Sequence, residues 1–264
     1  MPLPIIALLT DFGLDDWFVG SMKAAILTRL PDCAIVDLCH TIEPGAVRQG
    51  AWLLARTFSD FPPATVFCAV VDPGVGTERR AIAAVGGGYF FVAPDNGLLM
   101  GARRRLGDWQ CRAITNPAWK RGGASRTFHG RDLFAPAAAL VALEGGIEAA
   151  GEPIHDPVEI DLPATVLAQD GAVVGAVIRF DRFGNAITTI EQDQVGALAH
   201  GRTVRVAVGS LTIERLSSTF SDVAPGEVLA YWGSLGTLEI AMRAGSARER
   251  LGLALGDAVS LRPI

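Results

Sequence analysis

The chain has 264 residues, half of them hydrophobic, and a formal net charge of −5. This is enough apolar material for a large core, in one big domain or two unequal ones. An acidic balance without any Lys/Arg run argues against a nucleic-acid partner, whereas a small cationic ligand suits an acidic pocket. The opening MPLPIIALLT has neither a basic segment nor a small-residue cleavage site. No apolar stretch approaches the roughly 18 residues of a membrane span, so the expectation is a cytoplasmic protein with no membrane partner. Cys33, Cys39, Cys68 and Cys111 form no CxxC pair and read as reduced thiols rather than a disulfide frame or zinc site.

From Leu3 to about Gly151, short apolar runs alternate with amphipathic ones. IIALLT, AIVDLC, TVFCAVV, AIAAV and YFFVAP are expected strands, and Val19 to Leu30, Val47 to Phe58 and Leu133 to Leu143 are expected helices. That order implies a mostly parallel sheet covered by helices. Gly86-Gly87-Gly88 predicts a tight hairpin, so the sheet should be mixed. The stretch between Gly151 and Gly171 carries three prolines and no period, as an interdomain linker would. The expected organisation is an α/β domain at 1–151, a linker at 152–170 and a second domain at 171–264. There GAVVGAVIRF, NAITTI, TVRVAV, LTIERL, VLAYW, TLEIAM and AVSLR are short β-rich runs separated by turn residues, the pattern of a small all-β barrel or sandwich.

Four clusters place polar residues at the ends of apolar runs, where open α/β sheets bind ligands. In TDFGLDD, Asp11 leaves a strand before a Gly turn and can accept hydrogen bonds from both hydroxyls of a ribose, while Asp15 and Asp16 are candidates for helix N-terminal acids. In VVDPGVGTERR, an apolar strand ends in Asp72, a Pro-Gly-Val-Gly turn and two arginines, which fits either a catalytic acid or a turn-capping one. In FHGRD, His129 follows a glycine-rich basic loop and precedes a helix. In DRFGN, Asp181 to Asn185 suit a plain turn or an aromatic and amide grip on a purine, with Ser234 and the Ala244-Gly245-Ser246 patch joining them. There is no GxGxxG, GxxxxGK[ST], GxSxG or HExxH, and the four scattered histidines make a poor metal cluster.

In this order TDFGLDD, VVDPGVGTERR, APDNGLL, FHGRD, FDRFGN and GSLGTLEIAM resemble the S-adenosylmethionine hydroxide adenosyltransferases, the adenosine-forming S-adenosylmethionine hydrolases. They are more distantly similar to the fluorinases and chlorinases of the same fold. The resemblance covers nearly the whole chain. It implies an N-terminal α/β domain, a C-terminal β-barrel and a homotrimer whose active sites lie between subunits. It implies S-adenosyl-L-methionine as substrate, adenosine as product, and no cofactor or metal. It carries an Asp-Arg-His set that handles the nucleophilic water onto Asp72, Arg79 and His129.

The same resemblance carries Asp11 to the ribose diol and Asp16 to the ammonium end of methionine. Phe183 and Asn185 would contact adenine and the amino-acid part, with Asp181, Phe220, Ser234 and Ala244 nearby. Halogenating relatives have a tyrosine where Asp72 stands, a threonine where Val75 stands and a serine where Gly130 stands, all differences that favour water here. Gly233 replaces an asparagine common in its motif, Leu235 an arginine of the fluorinase and Gly45 a tryptophan.

The chemistry fits that assignment. The sulfonium makes C5′ electrophilic and methionine leaves as a neutral thioether, so the hard part is the nucleophile, and a water held by carboxylate, guanidinium and imidazole gains orientation and charge stabilisation. The rivals are a halide-using transferase, a non-catalytic sensor of S-adenosylmethionine or adenosine, and a calcium-dependent nucleoside hydrolase. The last wants an acid where Leu9 stands.

Overall fold

The structure is a computed structural model that describes residues 3–199 and 204–263. It divides into two compact units, Met1–Leu162 and Pro163–Ile264.

The first unit runs β1 (Ile5–Thr10), α1 (Phe18–Arg29), β2 (Ala34–Cys39), α2 (Val47–Thr57), β3 (Val66–Val70), β4 (Ala81–Gly86), β5 (Tyr89–Pro94), α3 (Met100–Leu106), β6 (Gln110–Ala113) and α4 (Ala135–Glu144). Its six-stranded sheet has the order β2-β1-β3-β5-β4-β6. The first three pairings are parallel and the last two antiparallel, as the mixed-sheet expectation requires. The hairpin stands at Gly87 (φ 56°) and Gly88 (φ 80°), both left-handed, which suits a tight turn between twisted strands.

Alternation along the strands separates the two faces. Ile6 and Leu8 pack with Val66, Cys68 and Val70 against Val19, Met22 and Ile26 of α1 and the alanines of α4. On the other face Phe67 and Phe91 stack with centroids 5.4 Å apart. The four cysteines are free thiols, and burial pushes Cys68 up to about 12. Two short elements, α3 and β6, were not among the expected ones.

Residues 152–160 run along this first unit. Ala113 donates to the Glu152 carbonyl (2.9 Å) and Ile154 to the Cys111 carbonyl (2.8 Å). Val158 donates to Asp95 Oδ1 at 2.8 Å.

The second unit holds β7 (Val166–Leu167), β8 (Val173–Phe180), β9 (Ala186–Glu191), α5 (Gln192–Ala199), β10 (Val204–Val208), β11 (Leu211–Ile213), β12 (Val228–Trp232), β13 (Thr237–Met242), α6 (Ala247–Leu251) and β14 (Ala258–Pro263). Its antiparallel eight-stranded sheet has the order β11-β10-β14-β8-β9-β13-β12, with β7 on β8. Ser217, just past β11, donates to the Ala230 carbonyl of β12 at 2.8 Å, so the sheet curls into a nearly closed barrel. Valines and isoleucines of alternate positions fill it, among them Val173, Val206, Ile240 and Val259. Thr203, the first residue of the expected run TVRVAV, lies outside the described residues.

Candidate active site

β1 and β3 are parallel neighbours, and Thr10 pairs with Val70, so Asp11 and Asp72 leave the sheet on the same side. That is the carboxyl end of the strands, where open α/β sheets place their ligands. A cavity of about 560 Å³ opens there, lined by Asp11, Gly45, Asp72, Val75, Phe128 and His129 among others.

Arg79 joins two of these groups. Its Nε donates to both Asp72 oxygens (2.9 and 3.0 Å) and its Nη2 to Asp72 Oδ2. The same Nη2 lies 2.7 Å from His129 Nδ1. A guanidinium only donates, so His129 Nδ1 accepts and the ring proton of the neutral imidazole sits on Nε2. Burial and the Arg79 charge hold the His129 pKa below its ordinary value, with Asp72 opposing. The Asp72 and Arg79 side chains are 5% and 11% exposed, and the guanidinium lies 5.1 Å from the Phe134 ring centre.

The loops hold this trio in place. Gly76 has φ 81°, and a Cβ there would meet the Arg126 carbonyl oxygen at 2.8 Å, so the Pro-Gly-Val-Gly turn packs against the strand of chain leading to His129. His129 opens a π-helical turn over Gly130–Phe134. In it the fully buried Asp132 accepts from Arg131 Nε (2.6 Å) and from the Ser125 amide (2.8 Å), clamping the glycine-rich loop. Arg80 turns away: its Nε donates to Asp95 (2.7 Å) and its Nη1 to Asp156 (2.9 Å). In APDNGLL, Asn96 Nδ2 ties to the Val71 carbonyl at 2.8 Å. Of the two arginines, Arg79 therefore backs the cavity residues Asp72 and His129, and Arg80 belongs to the scaffold.

Asp11 accepts the Gly45 amide through Oδ2 at 2.8 Å. Burial raises its pKa; the Gly45 hydrogen bond opposes this and the Asp72 charge adds to it. Asp16 is exposed in the loop before α1 and outside the cavity lining. The helix starts at Phe18 with no acid in its first turn, so neither Asp15 nor Asp16 serves as a helix N-terminal acid. Phe12, Phe18 and Phe128 also line the cavity, with ring centroids 5.1 to 6.1 Å apart; only their place beside Asp11 and His129 hinted at this.

In the second unit Asp181 Oδ1 accepts the amides of Phe183 and Asn185 (both 2.9 Å) and Oδ2 accepts Asn185 Nδ2 (2.7 Å). Asn185 is buried while Phe183 is 74% exposed. The turn reaches the Ala244-Gly245-Ser246 patch, since a Cβ on Gly184 would fall 2.1 Å from Ser246 Oγ. Ala244 adopts a left-handed φ of 57°. Ser234 is exposed in the turn between β12 and β13. Phe220 packs on Tyr231 at 5.1 Å, and Tyr231 donates its hydroxyl to Glu239. Sequence reasoning passed over this pair, which follows from the register Tyr231↔Glu239. A Cβ on Gly233 would lie 1.9 Å from Glu239 Oε1, so the carboxylate fills space that an asparagine at 233 would need. Burial raises the Glu239 pKa, and the Asp181 charge adds to it.

Among the described residues no group of three or more His, Cys, Asp or Glu side chains is placed to hold a metal ion. The family model for the SAM hydroxide adenosyltransferase N-terminal domain matches residues 6–151, and that for the C-terminal domain matches residues 175–260. A protein from Thermus thermophilus named (R)-S-adenosyl-L-methionine hydrolase is 43% identical over 96% of this chain and 97% of its own. One of the same name from Salinispora tropica is 38% identical over 97% of both chains. A fluorinase from Nocardia brasiliensis is 30% identical over 98% of this chain and 97% of its own. The crystal structure of a conserved protein from Thermotoga maritima superposes with a TM-score of 0.91 at 37% identity, covering 97% of this chain and 99% of that one. With both domain models matched in order, the chain belongs to the SAM hydroxide adenosyltransferase family.

Proposed function

We infer that the protein hydrolyses S-adenosyl-L-methionine to adenosine and L-methionine. The observation that carries this reading is that Arg79 joins Asp72 and His129, both in the wall of a cavity shared with Asp11, in a chain so similar over its whole length to hydrolases. Water attacks C5′, a C5′–O bond forms, and the C5′–S electron pair returns to sulfur. Methionine leaves as a neutral thioether and one proton is released, so the reaction needs no cofactor and no general acid.

The hydrogen bonds divide the labour. Both imidazole positions of His129 are assigned, Nδ1 to Arg79 and the Nε2 proton outward, so His129 orients the water by donating to it. Asp72 keeps lone pairs beyond those engaged by Arg79 and is the acceptor for the water proton. Arg79 stabilises the developing hydroxide and holds the other two in register. Asp11 accepts from the ribose diol.

Gly130 bears on the halide alternative. A Cβ there would sit 3.1 Å from Phe12 and 3.2 Å from Met22 and Phe128, so the serine of halogenating relatives would crowd this wall.

We further propose a cytoplasmic homotrimer in which Asp16 and, from the barrel unit, Asp181, Phe183, Asn185, Phe220, Ser234 and Ala244 contact the adenine and methionine ends. The exposed Phe183 ring supports this, as a free aromatic face suits a purine. No helix among the described residues is long and apolar enough to cross a membrane.

Incubation of the purified protein with S-adenosylmethionine and chromatography of the products tests the reading. Adenosine and methionine are expected; S-adenosylhomocysteine, adenine, a halogenated nucleoside or binding without turnover would overturn it.

A further inference from the structure

A second histidine, His40, lies behind the cavity with only 4% exposure. It follows β2 directly, beyond an irregularity where Leu8 pairs with Asp37 but Leu9 pairs with Cys39. Its Nε2 lies 3.0 Å from Asp37 Oδ1, and Asp37 Oδ2 accepts Lys23 Nζ of α1 at 2.7 Å. Its Nδ1 lies 2.8 Å from Thr10 Oγ1. Thr10 is fully buried at the end of β1, so its hydroxyl is no nucleophile.

The partners give the chain a direction. Asp37 accepts the Nε2–H hydrogen bond, so in the neutral ring Nδ1 accepts from the Thr10 hydroxyl. Thr10 Oγ1 in turn accepts the Phe12 amide at 3.3 Å. The His40 carbonyl accepts the Gly13 amide at 2.8 Å. The residues on both sides of Asp11 are thus tied to one histidine, while the Asp11 carboxylate accepts the Gly45 amide through Oδ2.

We propose that His40, through Thr10 and Asp37, is a positioning residue that fixes the Thr10–Gly13 turn and so aims the Asp11 carboxylate at the substrate's ribose. The inference rests on the assignment of Asp11 made above. A plain core histidine would need one satisfied partner per nitrogen; this one also spends its carbonyl and its hydroxyl partner on the same turn. The arrangement separates orientation from chemistry, because none of Lys23, Asp37, His40 and Thr10 lines the cavity.

The test compares Thr10→Val, which keeps the shape and removes the hydroxyl, with Thr10→Ser, which restores it. Steady-state kinetics on S-adenosylmethionine are paired with calorimetric binding of adenosine and with thermal melting. Thr10→Val should raise KM and the adenosine Kd about tenfold or more, the scale of an orphaned buried hydrogen bond, with a much smaller change in kcat. Thr10→Ser should recover most of that affinity. A Thr10→Val protein that melts earlier yet keeps wild-type KM and adenosine affinity would overturn the proposal, as would a Thr10→Ser protein as impaired as Thr10→Val. Asp37, whose side chain is 40% exposed, gives a variant that spares the core. Asp37→Asn should raise both constants about threefold or more, and unchanged constants would count against the proposal. A wild-type protein that binds adenosine but does not turn over substrate would sink the hydrolase reading alone, leaving the adenosine measurements to decide this one.

Discussion

Arg79 Nη2 contacts His129 Nδ1 at 2.7 Å while the same guanidinium grips both oxygens of Asp72. The cation sits between an acid and an imidazole that are 57 positions apart in sequence, His129 less Asp72, and gives them one fixed geometry. No pair of the three works alone: without Arg79, Asp72 loses its buried counter-ion and His129 loses the donor that sets its tautomer.

Asp72→Ala, Arg79→Ala and His129→Ala should each lower kcat strongly while leaving substrate affinity nearly unchanged. Positioned acid, base or electrostatic groups contribute on the order of 10²- to 10³-fold, and at least two of the three should show losses of that size. A double variant should be little worse than the poorer single one, since all three act on one water. Arg79→Lys should not rescue, because an ammonium cannot span both carboxylate oxygens and the imidazole in one plane.

The pH profile follows from His129, whose pKa lies below its ordinary 6.5 through burial and the Arg79 charge. Protonation would put a hydrogen on Nδ1 facing Arg79. Activity should therefore hold as pH falls to 6.5 and be lost only below it, at the depressed folded value. Stability moves the same way. The unfolded chain takes up this proton first, so the contribution of neutral His129 is fully present above 6.5 and declines below it. An acid limb in kcat/KM that disappears in His129→Gln checks the assignment.

Asp11→Asn should act on binding instead. It weakens hydrogen bonds present in both ground and transition states, so KM should rise about tenfold or more with kcat changing much less. Because burial raises the Asp11 pKa, adenosine affinity in the wild type should begin to fall at a higher pH than the usual 3.8 of an aspartate, and calorimetry across mildly acidic pH reads this directly.

Gly76→Ala tests the turn. A side chain must adopt φ 81° and displaces the Arg126 carbonyl at 2.8 Å, so stability should fall by about 1–3 kcal/mol or more. The loss of kcat should exceed that of Gly88→Ala, which has a similar φ but open space around it.

Shared sites predict complementation. Asp72→Ala and Asn185→Ala proteins, each impaired alone, should regain activity when unfolded together and reassembled, because in the proposed homotrimer mixed assemblies would hold some sites with both residues intact. No recovery, or a fully active monomer by light scattering, would contradict the shared-site proposal.

Much of the fold was legible because its periods are strong. The five expected strands of the first unit and the Gly86–Gly88 hairpin all stand in the structure. Several elements that escaped are short or weakly patterned: β6 has four residues, α6 five, and α3 carries three arginines in its last turn. LTIERL yields strand only at Leu211–Ile213. Within the site, Asp11 and Asp72 were readable as strand-end acids, but their adjacency depends on the parallel register of β1 and β3. The His40–Thr10 contact depends on register too, across a bulge that no single-strand pattern encodes. The structural role of Asp132, whose carboxylate accepts from Arg131 and the Ser125 amide, also depends on the loop fold rather than on any local pattern in FHGRD.

In the proposed reaction, water held by Asp72, Arg79 and His129 attacks C5′ of S-adenosylmethionine. Turnover in water enriched in heavy oxygen, followed by mass spectrometry of the products, tests it most directly. Adenosine should carry one heavy oxygen at its 5′-hydroxyl and methionine none. Label in methionine, an unlabelled nucleoside, or a 5′-halogenated product formed in chloride buffer would contradict it.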